Sequence, residues 1–217
     1  MNSNSCKVFF LLLLVFAISI SISAQEKWKL ERSCEGINIY SGNIAGSDFK
    51  SFKAQMVIKG SVHAFIAVLQ DINNMPAWGY NMKNTKLLEK NGDTLQIYYA
   101  EVSAPFPFDN RDGIYLNKFT WDSKSSQLFV GIELLPDYLK TKNKIVRLKG
   151  KGYWTVRVLK NDMLDITFVM QVDPGGNIPA WMVNIMVDTT PFSTMKEIRK
   201  VMSESKYQNR RFGFIKM

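Results

Sequence analysis

The chain is poor in the residues with which most enzymes and metal proteins work. It has one histidine, His63, and two cysteines, Cys6 and Cys34. A single imidazole excludes a histidine-rich metal centre, and no HExxH, CxxC, GxSxG or phosphate-binding glycine loop occurs. His63 falls on a predicted helix after Gly60, where a lone histidine is usually an ordinary surface or core residue. Cys34 has no histidine partner in any catalytic pattern and is a weak nucleophile candidate. Carboxylates are scattered; the tightest group is Asp109 and Asp112 around Arg111, a spacing that also suits a simple loop ion pair. No metal or cofactor is expected. Internal repeats, low-complexity tracts and linkers are missing after residue 25, so that one domain is the economical organisation.

What the chain does have begins with a leader. Lys7 precedes an apolar run from Val8 to Ile22, and Ser23-Ala24 follows it. This is the pattern of a signal peptide over residues 1–24, cut after Ala24, with the domain over 25–217. The run is short for a membrane span, which needs about 20 residues; an uncleaved anchor is the alternative. Cys6 lies before the run, which argues against a lipoprotein. Only Cys34 then remains, so no internal disulfide can form and the core alone must hold the exported domain, periplasmic or secreted. Losing the leader removes one lysine from the 28 basic residues and leaves the 19 acidic ones, a mature charge of about +8. Lys140, Lys142, Lys144, Arg147, Lys149 and Lys151 cluster. They read either as a dispersed soluble surface or as a site of transient contact with an anionic membrane. Stacking aromatics are not interleaved with them, which argues against nucleic acid.

Periodicity supplies the elements. Residues 27–33 look like a short helix ended by Gly36, and Ile37–Tyr40 alternates as a strand. Phe52, Ala54, Met56 and Ile58 share one face of a half-buried strand. Ser61 caps a helix carrying Phe65, Val68, Leu69 and Ile72, followed by a short helical turn at Pro76 and Trp78. Asn91-Gly92 signals a hairpin. Strands follow near Leu95–Tyr99, Ile114–Trp121, Leu128–Leu134, Tyr153–Leu159 and Leu164–Val172, the last two joined by Asn161-Asp162. Strands segregated from helices indicate an α+β fold with an antiparallel sheet. The Pro174-Gly175-Gly176 tract must turn, and Asn177 is the expected N-cap of a helix running to about Ser205. Over about 25 residues this helix would be a rod of about 38 Å, kinked at Pro191. Its first half, Trp181 to Val187, is apolar nearly all round and reads as buried. The second half narrows to a stripe of Met195, Ile198 and Met202. This helix is the natural lid of the sheet.

Two charges stand out. Glu101 continues the face of Leu95, Ile97 and Tyr99, and Arg157 shares the face of Tyr153 and Leu159. Either these strand ends reach solvent, or polar groups lie deep in a cavity to orient a ligand. Methionine and aromatics are plentiful, with 11 Met, 14 Phe, 8 Tyr and 5 Trp. Most are core, but Trp181, Met182, Ile185 and Met186 cluster where the lid would meet the sheet, and methionine suits an adaptable apolar pocket.

Three motifs carry a resemblance. Pro105-Phe106-Pro107-Phe108-Asp109-Asn110-Arg111-Asp112 precedes a strand, Gly152-Tyr153-Trp154 comes next, and Asp173-Pro174-Gly175-Gly176-Asn177-Ile178-Pro179-Ala180-Trp181-Met182-Val183-Asn184 opens the last helix. In this order, over most of residues 25–206, the chain resembles the START (StAR-related lipid transfer) domain. The resemblance implies a helix-grip fold, in which a curved antiparallel sheet wraps the long C-terminal helix around an internal hydrophobic cavity. It implies binding and transfer of a lipid, sterol or other apolar small molecule, without catalysis; a monomer is expected. It places the 105–110 loop at the cavity mouth and Arg111 near the cavity. Where sterol-binding members often carry another basic residue along the following strand, this chain has Asn117. The candidate cavity residues are Trp78, Tyr99, Glu101, Arg111, Tyr115, Arg157, Phe168, Met170, Trp181, Met182, Ile185 and Met186. The rival readings are a cyclase-like enzyme of the helix-grip superfamily, using Glu101, Arg157, Arg111 or His63, and a pocketless interaction module.

Overall fold

The computed structural model describes residues 28–216. The expected leader and its cleavage point lie outside the described residues. Ten strands form one sheet: β1 (Lys29–Cys34), β2 (Ile37–Asn43), β3 (Lys50–Lys59), β4 (Met82–Asn91), β5 (Leu95–Val102), β6 (Asn110–Asp122), β7 (Gln127–Leu134), β8 (Ile145–Arg147), β9 (Lys149–Val158) and β10 (Met163–Asp173). Nine of them run antiparallel in the order β1-β2-β3-β10-β9-β7-β6-β5-β4, and β8 pairs in parallel with the start of β6. Helix α1 (Val62–Gln70) and a 3-10 turn (Ile72–Ala77) follow β3. Helices α2 (Ala180–Ile185), α3 (Thr189–Val201) and α4 (Ser205–Gln208) close the chain. This is the expected α+β helix-grip arrangement, a large antiparallel sheet with C-terminal helices.

Local chemistry explains most of the elements. Alternation in β3 buries Ala54, Met56 and Ile58 on one face. The Ser61 hydroxyl accepts the His63 N–H at 3.2 Å and caps α1. Asn161 and Asp162 both take positive φ, forming the tight turn between β9 and β10. The β3–β10–β9 register sets Phe52 opposite Met170 and Phe168 opposite Trp154. An aromatic row results: Phe65 on α1 meets Trp154 edge-on, Trp154 stacks on Phe168 at 3.8 Å, and Phe168 meets Phe52 edge-on. Helix α3 lies over β2 and β3 and buries Met195, Ile198 and Val201.

The structure differs from the sequence reading at both ends. Residues 29–34 form strand β1, not a helix. Glu35 and Gly36 both adopt positive φ and fold β1 back onto β2, with Cys34 opposite Ile37. A charged helix of about two turns is too short to be stable by itself, whereas pairing with β2 satisfies the backbone along the strand. Strands β4 and β8 went unmarked, because β4 lies at the sheet edge with mostly exposed side chains and β8 is only three residues long.

The C-terminal helix is in two pieces. It starts at Ala180 rather than after an Asn177 cap: Pro179 holds extended ψ and makes no side-chain cap, and a residue before proline avoids the helical region. It breaks between Ile185 and Thr189, one turn ahead of Pro191. Proline cannot donate to the carbonyl four residues back, and its ring crowds that carbonyl. The break is therefore complete rather than a kink, and α3 ends at Val201. Nor is α2 buried: none of its six residues is, and Trp181 and Ile185 are 62% and 65% exposed.

Candidate functional site

Two cavities lie under the α2–α3 junction, with volumes of about 220 and 160 Å³. They share Phe52, Val102, Met170, Val172 and Thr190 as common walls, so they adjoin as an inner and an outer lobe. The inner lobe rests on the aromatic row of Phe52, Trp154 and Phe168. Trp78, Tyr80, Tyr98, Tyr115, Thr190 and Thr194 bring further polar side chains to its lining. Tyr98 and Tyr115 stack with ring centroids 5.1 Å apart, and burial pushes both phenols well above their ordinary range, so both stay neutral. The Trp78 indole N–H is buried and has no partner among the described residues. Gln96 and Asn117, opposite each other on β5 and β6, are buried more deeply.

The outer lobe is roofed by α2 and the turn before it. Val183 reaches it from α2 and Met186 from the C-cap of that helix, Ile178 and Pro174 from the turn, and Pro105 from the β5–β6 loop. The turn depends on glycine. Gly175 and Gly176 both hold left-handed φ, of 61° and 63°. A Cβ at Gly175 would come within 3.0 Å of Val146 on β8. The Asp173 carboxylate accepts the Gly175 N–H at 2.9 Å and closes the turn. Asn184 fastens α2 to the β2–β3 connection: its Oδ1 accepts the Lys50 N–H at 3.0 Å, and its Nδ2 donates to the Asp48 carbonyl at 3.1 Å.

Arg111 is the buried charge of the outer lobe. The β6 alternation turns it inward together with Tyr115, while Asp112 faces the opposite side. There Asp112 takes a two-point ion pair from Arg147 on β8, at 2.6 and 3.2 Å. The Arg111 Nε donates to the Pro174 carbonyl at 3.4 Å and a terminal nitrogen donates to the Asp109 carbonyl at 2.5 Å. The guanidinium thus joins the β5–β6 loop to the turn before α2. Burial lowers its pKa and Asp109 partly offsets this; arginine remains charged.

Six of the expected residues line this space: Trp78, Arg111, Tyr115, Phe168, Met170 and Met186. The other six do not. Tyr99 and Glu101 face the outer side of the sheet, because the inward residues of β5 are Gln96, Tyr98, Ala100 and Val102. Tyr99 packs with Ile97 and Ile114 in a second small core, under Lys142, whose Nζ lies 4.8 Å from the ring. Burial pushes the Tyr99 phenol up to about 12. Glu101 accepts from Asn84 at 2.9 Å and from Asn110 at 2.8 Å. These bonds, with Asn84 first, hold its carboxyl below the usual range. It anchors the loop ends and lies on the far side of the sheet from the cavity. Arg157 is exposed and pairs with Asp165 at 2.6 Å, so its strand face is simply the solvated one. Trp181 and Ile185 point outward from α2, and Met182 is half-buried without reaching either lobe. His63 is also elsewhere: its Nδ1 accepts the Phe212 N–H at 3.1 Å and ties the C-terminal tail to α1.

Several lining residues went unread, notably Phe52, Tyr98, Val102 and Thr190. Phe52 was within reach, since it extends the buried face of β3. Among the described residues no cluster of side chains suits a metal ion, and no helix is long and apolar enough to cross a membrane.

Comparison with known proteins agrees with this architecture. The START domain family model matches residues 21–208. A STAR-related lipid transfer protein from Xanthomonas axonopodis superposes with a TM-score of 0.76 at 35% identity, over 82% of this chain and 99% of that one. The mouse phosphatidylcholine transfer protein is 26% identical over 164 residues, 72% of this chain and 75% of the relative. Human STARD10 shares the fold, with a TM-score of 0.72 at 20% identity over 82% of this chain and 74% of that one.

Proposed function

We propose, from the premise that the chain belongs to the START domain family, that it binds a lipid or similar apolar molecule beneath α2 and carries it. The two-lobed cavity carries this reading. Its walls are mostly apolar, its polar atoms are few, and its roof is a short helix attached by a handful of bonds. Each buried CH₂ of a ligand contributes about 0.8 kcal/mol, so one acyl chain needs little polar help. Of the groups a cyclase-like enzyme would draw on, Glu101, Arg157 and His63 lie away from the cavity, and Arg111 lines it with no carboxylate or histidine beside it in the lining. Binding without bond chemistry is the simpler use of this site.

The mouth also suits contact with a membrane. Phe106 on the β5–β6 loop is 97% exposed, and Trp181 and Ile185 are exposed on α2. Lys144 and Lys149, both exposed, flank β8 beside the glycine turn. Apolar side chains with basic neighbours favour transient docking on an anionic surface. The Lys7 to Ala24 pattern supports export, so the working compartment is the periplasm or the exterior, and the protein acts as a monomer.

Native mass spectrometry of the protein purified from its own host, followed by organic extraction, tests the reading. A stoichiometric apolar passenger is expected. A folded, monodisperse protein that reproducibly carries none, and after delipidation takes up no fatty acid, phospholipid or sterol analogue, would overturn it.

A further inference from the structure

Arg111 is a charge that the cavity leaves without a counterion. It is only 7% exposed and lines the outer lobe. Its two hydrogen-bond acceptors, the carbonyls of Pro174 and Asp109, are neutral. The neighbouring carboxylate of Asp112 points to the other side of the sheet and belongs to Arg147. Among the described residues no carboxylate lies within ion-pair distance of Arg111, and Asp109, whose field reaches it, is itself exposed. A guanidinium has five N–H donors, and the two carbonyls engage two of them.

The composition of the whole cavity sharpens the point. Its lobes contain two charged residues, Arg111 and Lys50, both cationic, and no carboxylate. Lys50 is less isolated: the Glu31 carboxyl, held below the usual range first by the Ser41 hydroxyl and then by Lys29, also feels the Lys50 charge. Arg111 feels the Asp109 carboxylate, but that group is exposed to solvent and makes no ion pair with it. A buried charge without a counterion is costly, and the cost is relieved when an anion arrives. Guanidinium suits the paired oxygens of a carboxylate or phosphate better than any other side chain does. The rest of the space would hold the apolar part. Together the lobes lie near the low end of the roughly 300–1,000 Å³ typical of small-molecule sites, so probes with one chain are the appropriate ones.

Resting on the lipid-binding reading above, we propose that Arg111 recognises the anionic oxygens of an acidic head group, carboxylate or phosphate, on an apolar chain held in the two-lobed cavity. The neutral carbonyls of Pro174 and Asp109 hold the guanidinium in place, and the head group supplies the missing negative charge at the mouth.

The test is displacement of bound nile red from delipidated full-length protein at constant pH and salt. The competitors share one oleoyl chain: oleate, oleoyl lysophosphatidate, monooleoylglycerol and oleoyl lysophosphatidylcholine. Inorganic phosphate alone is the fifth. The acidic lipids are expected to bind about tenfold to a hundredfold more tightly than monooleoylglycerol. Oleate against lysophosphatidate tells carboxylate from phosphate. Displacement by inorganic phosphate as effective as by lysophosphatidate would overturn the requirement for a chain. In Arg111→Gln the ratio of acidic to neutral affinity should fall towards one, and in Arg111→Lys it should be intermediate. If Arg111→Gln does not fold, the wild-type and Arg111→Lys ratios still decide. Equal affinity for acidic and neutral lipids in the wild type overturns the proposal while leaving lipid binding intact. Failure of every lipid, and of nile red itself, overturns the lipid-binding reading instead.

Discussion

Helices α2 and α3 are consecutive and separated by three residues, yet they do opposite things. α3 is the more polar of the two, and it buries Met195, Ile198 and Val201 against β2 and β3. α2, Ala-Trp-Met-Val-Asn-Ile, is the more apolar and buries nothing fully. Apolar content alone therefore does not decide burial. α3 has a packed sheet beneath its stripe, whereas α2 has an open cavity on one side, met by Val183 and by Met186 at its C-cap, and solvent on the other, met by Trp181 and Ile185. An apolar face over a cavity makes a roof that is attached by its edges rather than by its core.

Four outcomes would break or sharpen this contrast. The largest is at α3. Ile198→Ala should lower unfolding free energy by about 2–5 kcal/mol in urea titration. A loss below about 1 kcal/mol would mean that α3 is no more firmly seated than α2. Next comes the edge of the roof. Asn184→Ala removes two bonds to the β2–β3 connection and should cost about 1–2 kcal/mol, with amide exchange at Lys50 faster by about five- to thirtyfold. Unchanged exchange there would show that Asn184 does not hold α2 down.

A smaller effect belongs to the fixed end, where His63 receives the tail. Desolvation, with a lesser contribution from Arg211, lowers its pKa below 6.5 in the folded state. The unfolded chain then binds the proton more readily. The stability contribution is complete above about pH 6.5 and is lost as the pH falls from there towards the depressed folded value. The thermal midpoint should drop over that interval in the wild type, and His63→Gln should remove that part of the drop. Identical pH profiles would rule out this linkage. The smallest effect on stability is at the exposed side of α2. Trp181→Ser with Ile185→Ser should shift unfolding free energy by no more than about 0.5 kcal/mol, while slowing lipid exchange with anionic vesicles. Unimpaired exchange would remove these side chains from the docking surface.

The same contrast explains what could be read from the residues alone. Strand β3 has one buried face, so its alternation was legible and points directly to Phe52. Strand β5 is buried on both faces, because the segment around Leu135 and Lys142 covers its outer side. Its pattern is then nearly uniform and does not tell the two faces apart, and Tyr99 and Glu101 were counted among the cavity residues for that reason. Arg111 was found through the Asn-Arg-Asp motif that opens β6, but its isolation from Asp112 was invisible, because it depends on Arg147 in a three-residue strand with no periodicity. The glycine turn at 175–176 was legible from backbone chemistry. The outward aim of Trp181 was not, since a helix apolar on every side gives no phase to read.

The pairing of β3 with β10 has a consequence in time. Ile58 lies opposite Leu164 in the sheet, so one strand must wait for about 100 further residues before its partner exists. At ribosomal rates of about 5–20 residues per second, that wait is about 5–20 s. Throughout it the edge of β3 away from β2 has no strand beside it, and α3, which packs on β3 and β2, comes later still. Contacts this distant along the chain also slow the search once synthesis is complete. The newborn chain therefore passes through a long interval as an unclosed sheet, and the last third of the polypeptide determines when that interval ends.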